Sequence, residues 1–279
     1  MNLAGKRILI TGVVNRESLA YAVAARAQEQ GADILLTNYG KARRVAQRTA
    51  AGMPNPPDVL ELDVTEPSHY DGVREYVADR WGGLDGIVHS IAFAPPEALG
   101  GNFLSAPNDS AVRSFEVSAL SLKSMVQGLD PVINDGASIV GFDFDASVAW
   151  PIYDWMGVSK AALESVARYL ARDLGPRRIR VNLVSAGVLS TVAARGIPYY
   201  RLLAFAWSQA APLGWDAFDA APVGDAACFL LSDWARAITG EILHVDGGVH
   251  AIGLPLLNAQ LQAEEEPAAA ADRAPAPAA

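Results

Sequence analysis

The chain has 279 residues, a formal net charge of −9, and hydrophobic and aromatic fractions of 51% and 8%. This composition predicts a well-filled core rather than disorder, and the acidic balance argues against nonspecific nucleic-acid binding. No apolar run approaches the roughly 20 residues of a membrane span, and the first residues do not resemble a signal peptide. The single cysteine, Cys228, and four histidines without metal-ligand spacing predict a cytoplasmic protein with no internal disulfide and no metal site.

Short β-branched runs alternate with longer segments of helical pattern along most of the chain. The predicted strands are Arg7–Thr11, Asp33–Thr37, Val59–Val64, Gly86–Ile91, Ala137–Phe142, Ile179–Val184 and Glu241–Val245. The predicted helices are Ser18–Gln30, Pro67–Trp81, one near Pro107–Gly128, and Tyr153–Leu174. This alternation predicts an α/β fold: a single-domain, Rossmann-like, doubly wound parallel sheet flanked by helices. The domain is expected to cover residues 1–257, and the Glu-, Pro- and Ala-rich residues 258–279 are predicted to be a disordered tail.

The turn after the first strand is a candidate binding site for a dinucleotide pyrophosphate. It runs from Thr11 to Ala20 and contains Gly12 as its only glycine, so it departs from the usual Gly-x-Gly-x-x-Gly fingerprint. A turn after a central strand can still present helix N-terminal amides to a pyrophosphate, and Ser18 can cap the helix and bind the ligand. A simple helix cap explains the pattern about as well. The candidate residues here are Gly12, Val14, Ser18 and Leu19.

Three further segments follow predicted strands, at the edge where such a fold binds its cofactor. Asp63 and Val64 end the third strand, and the carboxylate can accept a hydrogen bond from an adenine amino group. Small residues end the fourth strand and let the cofactor approach the backbone closely. The segment after the sixth strand offers a backbone edge for a carboxamide and a hydroxyl for the pyrophosphate. The candidates in these last two segments are Ser90, Ile91 and Ala92, then Ala186, Gly187, Leu189 and Thr191.

Tyr153 and Lys160 are seven residues apart in a predicted helix, and therefore project from the same helix face. A fixed cation beside a phenol can lower the phenol pKa, hold a cofactor hydroxyl and leave an O–H directed at developing negative charge. Alone, the pair is better explained as two ordinary residues on one helix face. The catalytic interpretation depends on the other segments described above.

Taken together, these residues resemble the enoyl-acyl-carrier-protein reductases of bacterial type II fatty-acid synthesis, a divergent branch of the short-chain dehydrogenase/reductase superfamily. The similarity covers about residues 3–253 and is greatest to the mycobacterial members. It includes Gly5–Ile10, Ala27–Gly31, Leu60–Val64, Leu84–Ile91, Ser138–Asp145, Ala162–Val166, Leu230–Trp234 and Asp246–Gly248.

The spacing of the Tyr–Lys pair separates this branch from ordinary short-chain dehydrogenases. Those enzymes place the lysine four residues after the tyrosine and a serine about thirteen residues before it, where this chain has Gly157 and Val140. The enoyl reductases use Tyr-x6-Lys with an intervening methionine, as in Tyr153, Met156 and Lys160. A ketoreductase or alcohol dehydrogenase on the same fold is the alternative that this spacing disfavours. A noncatalytic nucleotide-binding regulator is a third possibility, which the retention of both residues disfavours.

The resemblance implies NADH-dependent reduction of the trans-2 double bond of an enoyl thioester on acyl carrier protein. Tyr153 would donate a hydrogen bond to the enolate oxygen, Lys160 would hold the nicotinamide ribose, and Phe144 would gate the nicotinamide end. The implied substrate-binding residues are Phe93, Met156, Tyr153 and Phe205. A helical lid at about residues 192–212, shorter than in the long-chain enzymes, favours shorter or medium acyl chains. Asp143 and Asp145 are interpreted as structural loop residues, and Cys228 as a buried thiol.

The resemblance also implies partners and a cofactor preference. A homotetramer is expected, with Arg195 and Arg201 as candidate contacts for the acidic carrier protein. No acid follows the second strand where an NAD site usually has one. Tyr39 can stack on adenine, as in relatives that use NADH, whereas the basic residues Lys41, Arg43 and Arg44 leave NADPH as the alternative. NADH is the favoured cofactor.

Overall fold

One parallel sheet organises the residues that the structure, a computed structural model, describes: 2–253. Its seven strands are β1 (Arg7–Thr11), β2 (Asp33–Asn38), β3 (Val59–Glu61), β4 (Leu84–His89), β5 (Ile133–Asp143), β6 (Arg180–Ala186) and β7 (Ile242–Val245). All seven overlap the strands predicted from apolar, β-branched runs, which are typical of parallel strands covered on both faces. The predicted tail, residues 258–279, lies outside the described residues.

Helices cover both faces of this sheet. They are α1 (Leu19–Glu29), α2 (Gly40–Ala50), α3 (Pro67–Arg80), α4 (Asn108–Phe115), α5 (Ser121–Leu129), α6 (Asp154–Leu174), α7 (Val192–Arg195), α8 (Tyr200–Ala210) and α9 (Ala221–Leu231). The single helix predicted near residues 107–128 is α4 and α5 joined by a π-helical segment, Glu116–Leu120. Two helices, α7 and α8, occupy the region predicted as a helical lid.

The strand order is β3-β2-β1-β4-β5-β6-β7, and every pairing is parallel. The chain therefore winds outward in one direction from β1 to β3 and in the other from β4 to β7. Connections leave opposite faces at the β1–β4 junction, and folds of this kind bind ligands in the crevice at the carboxyl ends of those strands. The predicted doubly wound α/β fold is confirmed.

Alternate residues of the central strands build two separate cores. Ile8 and Ile10 of β1 pack with α1 and α9 on one face, whereas Leu9 between them packs with α3 and α5 on the other. Cys228 of α9 is fully buried in the first core, and burial raises the pKa of its thiol to about 12. The prediction of a buried thiol is confirmed. With both faces packed, the carboxyl ends of the strands are held in fixed positions.

Candidate functional site

A cavity of about 580 Å³ lies at the carboxyl ends of β1, β2, β4, β5 and β6. The predicted cofactor residues that line it are Gly12, Val14, Ser18, Leu19, Tyr39, Asp63, Val64, Ser90, Ile91, Ala92, Lys160, Ala186, Gly187, Leu189 and Thr191. The predicted catalytic and substrate residues that line it are Phe93, Phe144, Tyr153 and Met156. Thus residues from separate parts of the sequence meet around one cavity, as the strand-end argument requires.

The turn after β1 approaches the end of β4 so closely that only glycine fits. Gly12 has φ +80, and a Cβ built there would lie 2.0 Å from the carbonyl oxygen of Ser90. Thr11 fixes this approach, because its hydroxyl donates to the carbonyl of Val88 at 2.9 Å and accepts the amide of Ser90 at 3.0 Å. The missing side chain leaves the backbone of the turn open to a ligand in the cavity.

Ser18 has a different local role from the predicted helix cap. Its hydroxyl accepts the amides of Val14 and Asn15, each at 3.1 Å, and makes no capping bond to α1. The turn folds back over the start of the helix, so its own amides occupy the hydroxyl oxygen. The capping prediction is wrong, and Ser18 instead fixes the shape of the turn.

An acid that the sequence argument did not identify lies beside Tyr39. Glu61, at the end of β3, accepts the amide of Gly40 at 2.7 Å and pairs with Arg43 at 3.0 Å. The Gly40 amide, and then Arg43, hold the Glu61 pKa below its usual range. This carboxylate occupies the first amide of α2, where a 2′-phosphate would otherwise find a donor. The pairing of β2 with β3 brings Glu61 beside Tyr39, and no local sequence motif predicts this position.

Tyr153 immediately precedes α6, and Lys160 lies two turns into that helix. Both side chains are buried, with exposed fractions of 9% and 5%. The Lys160 ammonium donates to the carbonyl of Phe142, 2.7 Å from Nζ to oxygen. Burial lowers the Lys160 pKa, and the nearby Asp143 opposes that effect. This bond fixes the ammonium at the end of β5, inside the cavity wall.

The Tyr153 phenol stays protonated. Burial, and secondarily the charge of Asp143, raise its pKa well above the ordinary value. The expectation that the neighbouring cation lowers the phenol pKa is therefore wrong, because burial and the Asp143 charge both raise it. A neutral phenol is a hydrogen-bond donor, which is the form that can stabilise an oxyanion.

Aromatic and apolar side chains surround Tyr153. Phe144 lies with its ring centroid 4.9 Å from that of Tyr153 and 5.2 Å from that of Trp207. Leu99 and Met156 pack with Tyr153 in the same cluster. The phenol therefore lies in an apolar environment that strengthens its interaction with charge.

Asp143 is the site residue that the sequence interpretation missed. It ends β5, lines the cavity and is only 4% exposed, yet neither carboxylate oxygen has a hydrogen-bond partner among the described residues. Burial raises its pKa to about 7, and Lys160 opposes this. The structural role fits Asp145 instead, which accepts the amide of Ser147 at 3.0 Å. The usable signal was the position of Asp143 directly after a buried strand.

The helical region after β6 closes one side of the cavity. Thr191 caps α7, accepting the amide of Ala194 at 3.0 Å, and the side chains facing inward include Ile197, Tyr200 and Leu203. Phe205 does not line the cavity and is 63% exposed. Two residues along a helix are about 200° apart, so Phe205 faces away when Leu203 faces inward. The Phe205 assignment is therefore corrected.

Arg195 is already engaged on this side of the cavity. It pairs with Glu17 and donates to the carbonyl of Ser190 at 3.0 Å. The structure thus ties Arg195 to the turn after β1, although both arginines are exposed. Of the two candidate contacts for a carrier protein, Arg201 is the one without an ion pair among the described residues.

The sequence matches the family model described as Enoyl-(Acyl carrier protein) reductase over residues 12–250. The chain belongs to the enoyl-acyl-carrier-protein reductase family. It is similar to "Enoyl-[acyl-carrier-protein] reductase [NADH]" of Mycolicibacterium smegmatis, 40% identical over 88% of this chain and 96% of the relative. It is also 39% identical to reductase "[NADH] 1" of Rhizobium meliloti, over 91% of this chain and 94% of the relative. The reductase "[NADH] FabI" of Bacillus subtilis is 36% identical, over 89% and 97%.

Family membership confirms the resemblance drawn from the Tyr-x6-Lys spacing. All three relatives carry NADH in their names, in agreement with the predicted cofactor. Within residues 2–253 of this enoyl reductase, no helix combines the length and apolar character needed to cross a bilayer.

Proposed function

We propose that the chain catalyses NADH-dependent reduction of the trans-2 double bond of an enoyl thioester on acyl carrier protein, in type II fatty-acid biosynthesis in the cytoplasm. The observation that carries the proposal is that a buried Tyr153 and a fixed Lys160 share one cavity. The alternative, a ketoreductase acting in secondary metabolism, has no comparable support, because the Tyr–Lys spacing is that of the enoyl reductases.

Two features of this chain make the cavity suitable for a dinucleotide. The close approach at Gly12 leaves a turn without side-chain bulk, and Asp143 offers a buried acceptor that has no donor among residues 2–253. We infer that the turn after β1 and Thr191 bind the pyrophosphate, Tyr39 and Asp63 the adenosine, and Lys160 the nicotinamide ribose. The remaining contacts come from Val14, Ser18, Leu19, Val64, Ser90, Ile91, Ala92, Ala186, Gly187 and Leu189.

When bound, NADH supplies the hydride that adds to the β-carbon of the enoyl thioester. Negative charge then develops on the thioester oxygen, and the Tyr153 O–H donates a hydrogen bond to it. A donor of this kind contributes roughly 3–4 kcal/mol to transition-state stabilisation. A proton taken up from solvent at the α-carbon completes the reduction. Lys160 orients the ribose, and Phe144 covers the reacting end of the cavity and excludes water.

The acyl chain is proposed to lie along the apolar wall of Met156, Leu99, Tyr200 and Leu203. Phe93, which is partly exposed, lies where the chain would enter. The short region between β6 and α9 supports a preference for shorter or medium acyl chains.

We also propose a homotetramer that buries the outer faces of α4 and α6 against a second copy of the chain. These faces expose Val112, Phe115, Val158 and Tyr169, apolar side chains of the kind that oligomer interfaces cover. Arg201 is the proposed contact for the acidic carrier protein.

The test follows the loss of NADH absorbance in the presence of enoyl thioesters of several chain lengths. Parallel assays replace NADH with NADPH, and the enoyl thioesters with 3-ketoacyl thioesters. Tyr153→Phe should lower kcat by about 100- to 1000-fold. Tyr76→Phe is the matched control, because this tyrosine of α3 does not line the cavity. Lys160→Ala should weaken NADH binding. Turnover of ketones but not enoyl thioesters would favour the ketoreductase, and no turnover of either would argue against catalysis.

A further inference from the structure

The backbone on both sides of Tyr153 adopts an unusual conformation. Ile152 has φ +65 and Asp154 has φ +43, in the left-handed region that residues other than glycine rarely enter. Ile152 is β-branched, for which this conformation is a true outlier. Such a turn persists only where its surroundings hold it in place. The direction of the Tyr153 side chain therefore depends on the contacts that hold this turn.

Three consecutive amides from another part of the chain bind this turn. The amide of Gly100 donates to the carbonyl of Ile152 at 2.9 Å. The amides of Gly101 and Asn102 both donate to Oδ2 of Asp154, at 2.6 Å and 3.0 Å. Successive residues with positive φ, here Gly100 at +81 and Gly101 at +92, can turn neighbouring amides toward one anion. One carboxylate oxygen thus gathers two amides beside the catalytic tyrosine.

The same segment, residues 99–103, is attached to the site at both ends. Leu99 packs against Tyr153 and Met156 and lines the cavity. At the other end, the Trp155 indole donates to the carbonyl of Phe103 at 3.0 Å, and the two rings stack 5.1 Å apart. The segment is thus a fixed support for the turn.

We propose that Asp154 is a positioning residue for the reductase reaction. Its carboxylate, bound by the amides of Gly101 and Asn102, holds the turn and so aims the Tyr153 hydroxyl at the substrate oxygen. The inference rests on the proposed role of Tyr153, and Asp154 itself does not line the cavity.

The first test compares Asp154→Ala with Asp154→Asn. Removing the acceptor should lower kcat on an enoyl thioester at least tenfold, since small displacements of a catalytic group have effects of this size. The NADH dissociation constant, measured by fluorescence titration, should stay within twofold. Asp154→Asn should recover most of the lost kcat, because its amide oxygen can accept the same two bonds. Asp219→Ala is the control, since Asp219 accepts the amide of Ala221 at 2.9 Å at the start of α9.

Gly101→Ala provides an independent variant. Its φ of +92 would be strained by any side chain, yet an added Cβ would meet no atom within 4 Å. The variant therefore disturbs the direction of the amide without a steric clash. It should lower kcat and leave NADH binding unchanged, like Asp154→Ala.

The decisive measurement is the double variant Tyr153→Phe/Asp154→Ala. If Asp154 acts through the hydroxyl of Tyr153, the double variant should be no more than twofold slower than Tyr153→Phe alone. Two outcomes would overturn the positioning role only. One is that the kcat losses of the two single variants multiply in the double variant. The other is that Asp154→Ala keeps a near-normal kcat while Tyr153→Phe is impaired. A fully active Tyr153→Phe enzyme would overturn the proposed catalytic role of Tyr153 and this inference with it.

Discussion

Replacing Gly12 with alanine tests the closest backbone approach in the site. The new Cβ would lie 2.0 Å from the carbonyl oxygen of Ser90, 1.4 Å short of the 3.4 Å at which ordinary contact begins. Neither partner can move easily, because the Thr11 hydroxyl holds both the Ser90 amide and the Val88 carbonyl. The substitution must therefore separate the ends of β1 and β4 or distort the turn.

The control variant is Gly136→Ala at the exposed start of β5. Gly136 has φ +82, close to the +80 of Gly12, and an added Cβ there would meet no atom within 4 Å. Left-handed strain alone costs about 1–2 kcal/mol in either variant. The clash at Gly12 should add about 1–3 kcal/mol, as other forms of overpacking do. The free energy of unfolding should therefore fall by about 2–5 kcal/mol in Gly12→Ala.

Urea unfolding of the two variants measures this difference, and NADH titration measures its effect on the site. Both Gly12 and Ser90 line the cavity, so Gly12→Ala should weaken NADH binding at least tenfold, while Gly136→Ala should leave it unchanged. Equal losses of stability in the two variants would refute the clash. Unchanged NADH affinity in Gly12→Ala would refute the placement of the cofactor at this turn.

Two further predictions concern the carboxylate and the lid. Burial raises the pKa of Asp143 to about 7 in the folded protein, compared with about 3.9 in an unfolded chain. Between these pH values the folded protein keeps a proton that the unfolded chain has lost, so the free energy of unfolding declines as the pH rises from about 4 to 7. The unfolding free energy of Asp143→Asn minus that of the wild type should therefore increase by about 2 kcal/mol as the pH is raised from about 5.5 to 8. The exposed Asp79→Asn serves as its control, and a difference that shrinks with pH would contradict the argument. Leu203→Trp should lower kcat/KM for the longest acyl thioesters more than for short ones, because it fills the cavity. Phe205→Trp, outside the cavity, should change neither, and equal effects of both variants would contradict the lid geometry.

The sheet could be predicted because its strands carry the signal locally. Runs such as Ile8-Leu9-Ile10 are apolar on both faces, and their order along the chain determines a parallel topology. The helices α2 and α9 were not predicted, since α2 begins at a glycine and α9 contains Pro222 and Gly224, residue types that disfavour helices. The π-helical segment between α4 and α5 likewise has no sequence signal that separates it from a continuous helix.

The site divides in the same way between local and tertiary information. The Tyr153–Lys160 pair and the strand-end residues have fixed spacing and could be found from the sequence. Glu61 could not, because its role arises from the pairing of β2 with β3. Asp143 had a signal in its position after a buried strand, but only the structure shows that it lacks hydrogen-bond partners among the described residues. The Phe205 error has a similar origin, since an aromatic stripe alone does not tell which side of a helix faces the cavity.

The charge of Asp143 links the protonation states of the two catalytic candidates. Burial acts on Lys160 to lower its pKa, and the carboxylate opposes this, which favours the charged ammonium. The same carboxylate adds to burial in raising the pKa of Tyr153, which favours the protonated phenol. Lys160 uses one of its three donors on Phe142, and Asp143 accepts none from the described residues. The wall therefore presents both a donor and an acceptor to ribose hydroxyls, which can do both. Once ionised, at pH values above about 7, this buried acid favours a charged anchor for the cofactor and a neutral donor for the developing oxyanion, the pair of states that the proposed reaction requires.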